Sequence, residues 1–238
     1  MVLLFQGHYH GHLEEGVVDL EGERVTALER GLSSGVTGRV RIAQSNDVDG
    51  LARALAPGDV AMVLTEPAMT NRIHLLAPAP GWHDALRALT SRHGTLLALD
   101  ETHTHVVGPG GATGRWGLDP DVVTIGKAVA GGVPMGAYGV TSALGEELSA
   151  ARQVATGGTL FGNPLSAAAA KAALTEVLVA GAYEHTGALG ATLADGIEAA
   201  IAASGLPWTV IRFGPRSGQW YGRSRGPARG PSLSSTRT

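Results

Sequence analysis

Along much of the chain, hydrophobic residues fall in short unbroken runs that end abruptly in polar residues. Ala61-Met62-Val63-Leu64 stops at Thr65-Glu66-Pro67, Thr95-Leu96-Leu97-Ala98-Leu99 at Asp100-Glu101, and Asp121-Val122-Val123-Thr124-Ile125 at Gly126-Lys127. Runs of that length predict strands buried on both faces. Gly136-Ala137-Tyr138-Gly139-Val140 reads as a fourth strand. A Ser-Asn-Asp start followed by apolar spacing predicts a short helix over 46–55, and residues 81–93 show helical spacing that stops before Gly94. From Ser142 the pattern turns helical, with alanine-rich segments at 143–152, 164–180 and 182–203, then a strand at 208–213. Residues 17–45 mix short apolar runs with charge and glycine and predict no element. The alternation predicts an α/β fold, a buried and mainly parallel sheet flanked by helices.

The 238 residues, 44% hydrophobic and 16% charged, suffice for a sizeable core. A net charge of -3 gives no reason to expect nucleic acid or acidic membranes as partners. The absence of cysteine excludes disulfide scaffolds, thiolate metal sites and cysteine nucleophiles. No uncharged apolar stretch reaches spanning length and Met1 to Phe5 is too short for a signal-peptide core, so a soluble cytoplasmic protein is expected. Residues 214–238 change character, with Arg216, Arg223, Arg225, Arg229 and Arg237, no acidic residue, and much Gly, Pro and Ser. Without regular aromatic interleaving, they read as a disordered or frame-shifted tail rather than an RNA-binding one.

Candidate chemistry gathers where the strands end. Lys127, one of two lysines with Lys171, follows an apolar strand and precedes Gly131-Gly132-Val133-Pro134. Placed against packed backbone, a lysine loses its charge more readily, and the neutral amine attacks carbonyls; the alternative is an ordinary loop lysine. Asp100 closes a buried strand, where a carboxylate needs a cation or several hydrogen bonds, although Asp also caps turns there. Both residues could face one crevice at the carboxyl edge of a parallel sheet. Thr156-Gly157-Gly158-Thr159 precedes a long helix and offers amides and hydroxyls to a phosphate, or simply a turn. Tyr9, in His8-Tyr9-His10-Gly11-His12, could stack on a flat ring or sit in the core.

Taken in order, several segments resemble the class III aminotransferases of the fold-type I pyridoxal-phosphate enzymes. They are Tyr9-His10-Gly11-His12, Glu66-Pro67 with Asn71, Leu99-Asp100-Glu101, Gly126-Lys127 with Gly131-Gly132-Val133-Pro134-Met135-Gly136, and Gly158-Thr159-Leu160-Phe161-Gly162-Asn163-Pro164-Leu165. Within that family they are most similar to the glutamate-1-semialdehyde 2,1-aminomutase group. The resemblance runs from about residue 5 to 215 and implies pyridoxal 5'-phosphate as cofactor. It implies that Lys127 holds the internal aldimine and shuttles a proton, and that Asp100 pairs with the pyridinium nitrogen. Tyr9 would stack on the ring, Glu66 and Asn71 would line the pocket, and Thr159 would reach the phosphate across a homodimer interface. The partners implied are a small amino donor and acceptor. Residues 1–205 would be the cofactor-binding large domain and 206–213 the start of a small one.

The chain also departs from the family pattern. Asp100-Glu101-Thr102-His103-Thr104-His105-Val106-Val107 replaces a stretch that usually carries Gly and Arg, and Thr70 stands where a glycine is usual. The family's amino-terminal phosphate cup and most of its small domain have no counterpart. An alternative is therefore a degenerate fragment that folds, or binds a full-length relative, without turnover. A second is a metallohydrolase using His8, His10, His12, His103 and His105 with Asp100, Glu101 and a carbamylated Lys127.

Overall fold

The computed structural model describes residues 1–70, 75–151, 154 and 157–220. Strand β1 (Val2–Phe5) begins the chain, and β2 (Val18–Glu21) and β3 (Arg24–Ala27) form a separate antiparallel hairpin. The hairpin turns through Gly22, at φ +65, with Val18 and Asp19 buried and the rest half-buried or exposed, a mixture that gives 17–45 no clear period. Strand β4 (Val40–Ala43) follows, then helix α1 (Val48–Leu55), whose Asp47 cap accepts the Gly50 amide at 2.9 Å, as the Ser-Asn-Asp start predicts. Next come β5 (Met62–Thr65), α2 (Trp82–Arg92) and β6 (Leu96–Asp100). After the short α3 (Gly111–Trp116), β7 (Val122–Ile125) and β8 (Ala137–Val140) complete one sheet in the order β4-β1-β5-β6-β7-β8. Every pairing is parallel except β7 with β8, the edge strand, so the sheet is mainly parallel as expected.

Alternation along β1 shows how the sheet is buried on both faces. Leu3 and Phe5 point into a core with Leu51, Leu55, Val63, Trp82, Leu86, Leu97 and Leu99 from α1, α2 and the neighbouring strands. Leu4 points to the other face, with Val18, Val36 and Val40. Burying these large side chains, at about 1.5–3 kcal/mol each, holds the strand ends rigidly in place.

Helices α4 (Ser142–Ala150), α5 (Pro164–Ala172) and α6 (Ala180–Ser204) lie near the predicted positions. α5 continues as a π-helical turn, Ala173–Val177, before the chain bends into α6. The last predicted strand shortens to β9 (Thr209–Ile211), which leaves the main sheet and pairs antiparallel with β10 (Gly218–Trp220). Most of the arginine-rich tail, residues 221–238, lies outside the described residues. Among the described residues, no single helix is long and apolar enough to cross a membrane.

Candidate active site

Four neighbouring parallel strands, β1, β5, β6 and β7, run the same way, so the segments leaving them emerge along one edge of the sheet. Tyr9 and His10 follow β1, Glu66 follows β5, Asp100 ends β6 and Lys127 follows β7. A crevice outside the carboxyl ends of parallel strands is where α/β folds place ligands.

Asp100 is 8% exposed and both of its carboxylate oxygens accept hydrogen bonds. Oδ2 accepts the His10 Nδ1–H at 2.8 Å, and Oδ1 accepts the Thr102 amide at 2.9 Å and the Thr124 hydroxyl at 3.2 Å. Burial, the largest influence, pushes the carboxyl up; the His10 and Thr102 hydrogen bonds more than offset it and hold the group at about 2. Asp100 is therefore ionised at neutral pH. His10 Nε2 is buried and has no hydrogen-bond partner among the described residues. The sequence did not reveal His10 as the partner of Asp100, because the two lie 90 residues apart.

Lys127 opens a short 3-10 turn, Lys127–Ala130, directly after β7. Its φ of 52 is left-handed, one of two such non-glycine residues, with Asn46, among the described residues. Lys127 is exposed, not packed against backbone as expected. It stands one strand over from Asp100: a Cβ built on Gly126 would lie 3.6 Å from the Thr102 side chain.

Glu66 is 4% exposed and accepts the Thr70 amide at 3.2 Å; the Thr70 hydroxyl donates to its Oε2. The same hydroxyl lies 2.7 Å from His103 Nδ1, so Glu66, Thr70 and His103 form a chain at the strand edge. Burial lowers the His103 imidazole first, then the positive charges of Arg216 and Lys127, bringing it to about 4. Asn71 lies outside the described residues.

Tyr9 is half-buried, with its hydroxyl 3.2 Å from His12 Nε2. Thr159 is exposed, and among the described residues no hydrogen bond joins it to Lys127 or Asp100. Its turn leads into α5, which docks on the Lys127 turn through Val129, Ala130 and Ala170, while Ser166 Oγ donates to the Pro134 carbonyl at 3.0 Å. A separate cavity of about 380 Å³, lined by Ala68, Leu75, Pro78, His83, Trp116 and Phe213 among others, includes none of the five described candidates.

Neighbouring residues build the frame. Glu101, 1% exposed, receives the Thr104 hydroxyl and the Ala112 and Thr113 amides, capping α3. Gly111, at φ +66, is required there because a Cβ would stand 2.6 Å from a Glu101 oxygen. The histidines do not converge as a metal site would need. His10 is used by Asp100, His12 meets Tyr9, His103 meets Thr70, and His105 Nδ1–H donates to the Glu101 carbonyl at 2.8 Å. Among the described residues, no three His, Asp or Glu side chains form a metal-binding group.

The fold and its strand-edge site define an α/β protein that sets a lysine and an ionised carboxylate on adjacent strands. The family model described as aminotransferase class-III matches residues 2–212. Glutamate-1-semialdehyde 2,1-aminomutase of Roseiflexus castenholzii is 38% identical over 227 residues, covering 92% of this chain and 52% of that protein. The glutamate-1-semialdehyde 2,1-aminomutase 2 of Brevibacillus brevis is 34% identical over 220 residues, 90% of this chain and 51% of that protein. A crystal structure of the glutamate-1-semialdehyde-aminomutase from Pseudomonas aeruginosa PAO1 superposes with a TM-score of 0.88 at 38% identity, covering 96% of this chain and 53% of that one. This chain belongs to the class III aminotransferase family. It spans about half the length of the curated relatives it matches.

Proposed function

We propose that this chain carries the lysine-bearing part of a pyridoxal 5'-phosphate site for amino-group transfer, of the aminotransferase or aminomutase type. The observation that carries the reading is the pairing of Asp100, held ionised at the end of β6, with Lys127, exposed after the adjacent β7. Support comes from relatives: an aminomutase from Pseudomonas aeruginosa PAO1 crystallised in complex with PMP, and a transaminase with PLP bound. The residues fit the cofactor, since a buried carboxylate backed by a histidine suits a protonated ring nitrogen. When bound, the cofactor supplies an aldehyde that takes up amino groups and a ring that draws off electrons.

The chain's own residues divide the remaining work. Lys127 would supply the amine that holds the cofactor, and would hold a proton at Nζ between transfers. Asp100 would keep the ring nitrogen protonated, and His10 fixes the orientation of Asp100. Tyr9 would stack on the ring, and Glu66 and Asn71 would line the pocket. In a homodimer, the exposed turn bearing Thr159 and the exposed Leu160 and Phe161 would be offered to the partner's phosphate. Residues 1–205 form the large domain in this reading and 206–213 begin the small one, consistent with β9 leaving the main sheet. A small amino donor and acceptor are the substrates, and a cysteine-free chain suits the cytoplasm.

The test is an absorption spectrum of the purified protein with pyridoxal 5'-phosphate, then borohydride reduction, digestion and mass mapping. A single adduct on Lys127 supports the reading. Labelling spread over Lys171 and the amino terminus, or none, overturns it.

A further inference from the structure

Thr70 and His103 both lie in stretches where this chain departs from the family pattern, and the structure joins them. The Thr70 hydroxyl donates to Glu66 Oε2 and lies 2.7 Å from His103 Nδ1. A hydroxyl has one proton to give, so the Thr70 oxygen must accept from His103, and Nδ1 carries the imidazole proton. Nε2 is then left with its lone pair, and among the described residues it has no hydrogen-bond partner. The His103 side chain is 12% exposed and the Glu66 side chain 2%, so the ring reaches solvent from a buried anchor. Thr102, the preceding residue, is the neighbour of Gly126, and the charge of Lys127 acts on the His103 imidazole.

Resting on the reading of the site above, we propose that His103 determines specificity for the amino substrate. Its bare Nε2 accepts a hydrogen bond from a donor group on that substrate, an amine, hydroxyl or amide, and disfavours a carboxylate at the same place. The charged groups facing the imidazole are Arg216, Lys127, Asp100 and His105, together with the Glu66 carboxylate 3.8 Å from Nδ1. The cations oppose its protonation, which keeps it an acceptor at neutral pH.

Two measurements test this. Two-bond nitrogen–proton NMR spectra of the cofactor-free chain at pH 7 should show His103 protonated at Nδ1, and Thr70→Val should move protons to Nε2. A ring already protonated at Nε2 in the parent chain overturns the proposal. In the second, the chain is loaded with cofactor and reduced with borohydride so that no turnover occurs. Calorimetry then compares 1,4-diaminobutane with 4-aminobutyrate, molecules of similar length with opposite end groups. The expected preference for the diamine is about tenfold, the worth of one good hydrogen bond, and His103→Phe should erase it. If Lys127 takes no cofactor, the parent reading falls and this one falls with it. If Lys127 is loaded but His103→Phe leaves the preference intact, this proposal alone is overturned. A carboxylate preference lost in Arg216→Gln would overturn it by assigning recognition to Arg216.

Discussion

Lys127 sits at φ 52, where a side chain bearing a Cβ is disfavoured, and replacing it separates its backbone cost from its chemistry. A left-handed L-residue costs roughly 1–2 kcal/mol. Glycine removes that cost but gives back about 0.4–1 kcal/mol through the freer unfolded chain. Because Lys127 is exposed, truncating it sacrifices no buried surface. Lys127→Ala keeps the Cβ and should match the parent in stability, whereas Lys127→Gly should exceed Lys127→Ala by about 1 kcal/mol. The assay is urea unfolding of the three cofactor-free proteins, read as a shift in midpoint at constant slope. For a chain of 238 residues the same gain raises the melting temperature by roughly 2–4 °C. Both variants lack the amine, so their difference reports backbone alone. Equal stability of the two would refute the claim that this position stores strain, and Lys127→Gly falling below Lys127→Ala would reverse its sign.

Other perturbations follow from the same frame. His10→Ala should raise the Asp100 carboxyl above about 2, read by carbon NMR titration; an unmoved titration would show that Thr102 and Thr124 suffice. Gly111→Ala combines left-handed strain of about 1–2 kcal/mol with displacement of the Glu101 carboxylate, whose charged hydrogen bonds are worth about 1.5–3 kcal/mol. It should cost roughly 3 kcal/mol or more by those figures, whereas Gly131→Ala, at φ +60 with nothing within 4 Å, should show the strain alone in the same unfolding assay. His103 is lowered from 6.5 to about 4, so below pH 6.5 the unfolded chain takes up a proton that the fold refuses. The stability from a neutral His103 is complete above pH 6.5 and is lost as the pH falls through 4. Asp100, lowered from 3.8 to about 2, acts above pH 3.8 and fails later, as the pH falls through 2. Unfolding midpoints between pH 7 and 4 should therefore fall less in His103→Gln than in the parent.

Strands β5, β6 and β7 were legible because strands covered on both faces read as apolar runs and stop where solvent begins. Asp100 and Lys127 stood out as polar residues at those stops. Some features escaped for different reasons. β1 opens the chain without a preceding turn, and its role in the centre of the sheet depends on pairing with β4 and β5, 38 and 60 positions away in register. The β2–β3 hairpin buries two adjacent residues, Val18 and Asp19, and leaves the rest half-buried or exposed, so its hydrophobic period is weak. β8 carries the same apolar signature as its neighbours, yet it runs antiparallel, because only 11 residues separate β7 from β8, Gly126 to Gly136. That is short of the helix-bearing crossover a parallel return requires.

The polar network of the site is a harder case, and its physics explains why. His10 with Asp100, and His103 with Thr70 and Glu66, are contacts between loops that follow different strands. Each loop sequence alone is compatible with many partners. The sheet decides among them, because its register sets Leu99 opposite Thr65 and Asp100 opposite Thr124, bringing the loops after β5, β6 and β7 within hydrogen-bond reach. A histidine in such a loop has no periodic signature, and its meaning depends on which nitrogen is already engaged. At His10 the engaged Nδ1 serves Asp100, which turns the residue into a support for a carboxylate. At His103 the engaged Nδ1 serves Thr70, which leaves Nε2 facing outward as an acceptor. One residue type thus acquires two roles from the strand ends that hold it, and substrate preference can change through Thr70 and His103 while Asp100 and Lys127 stay fixed.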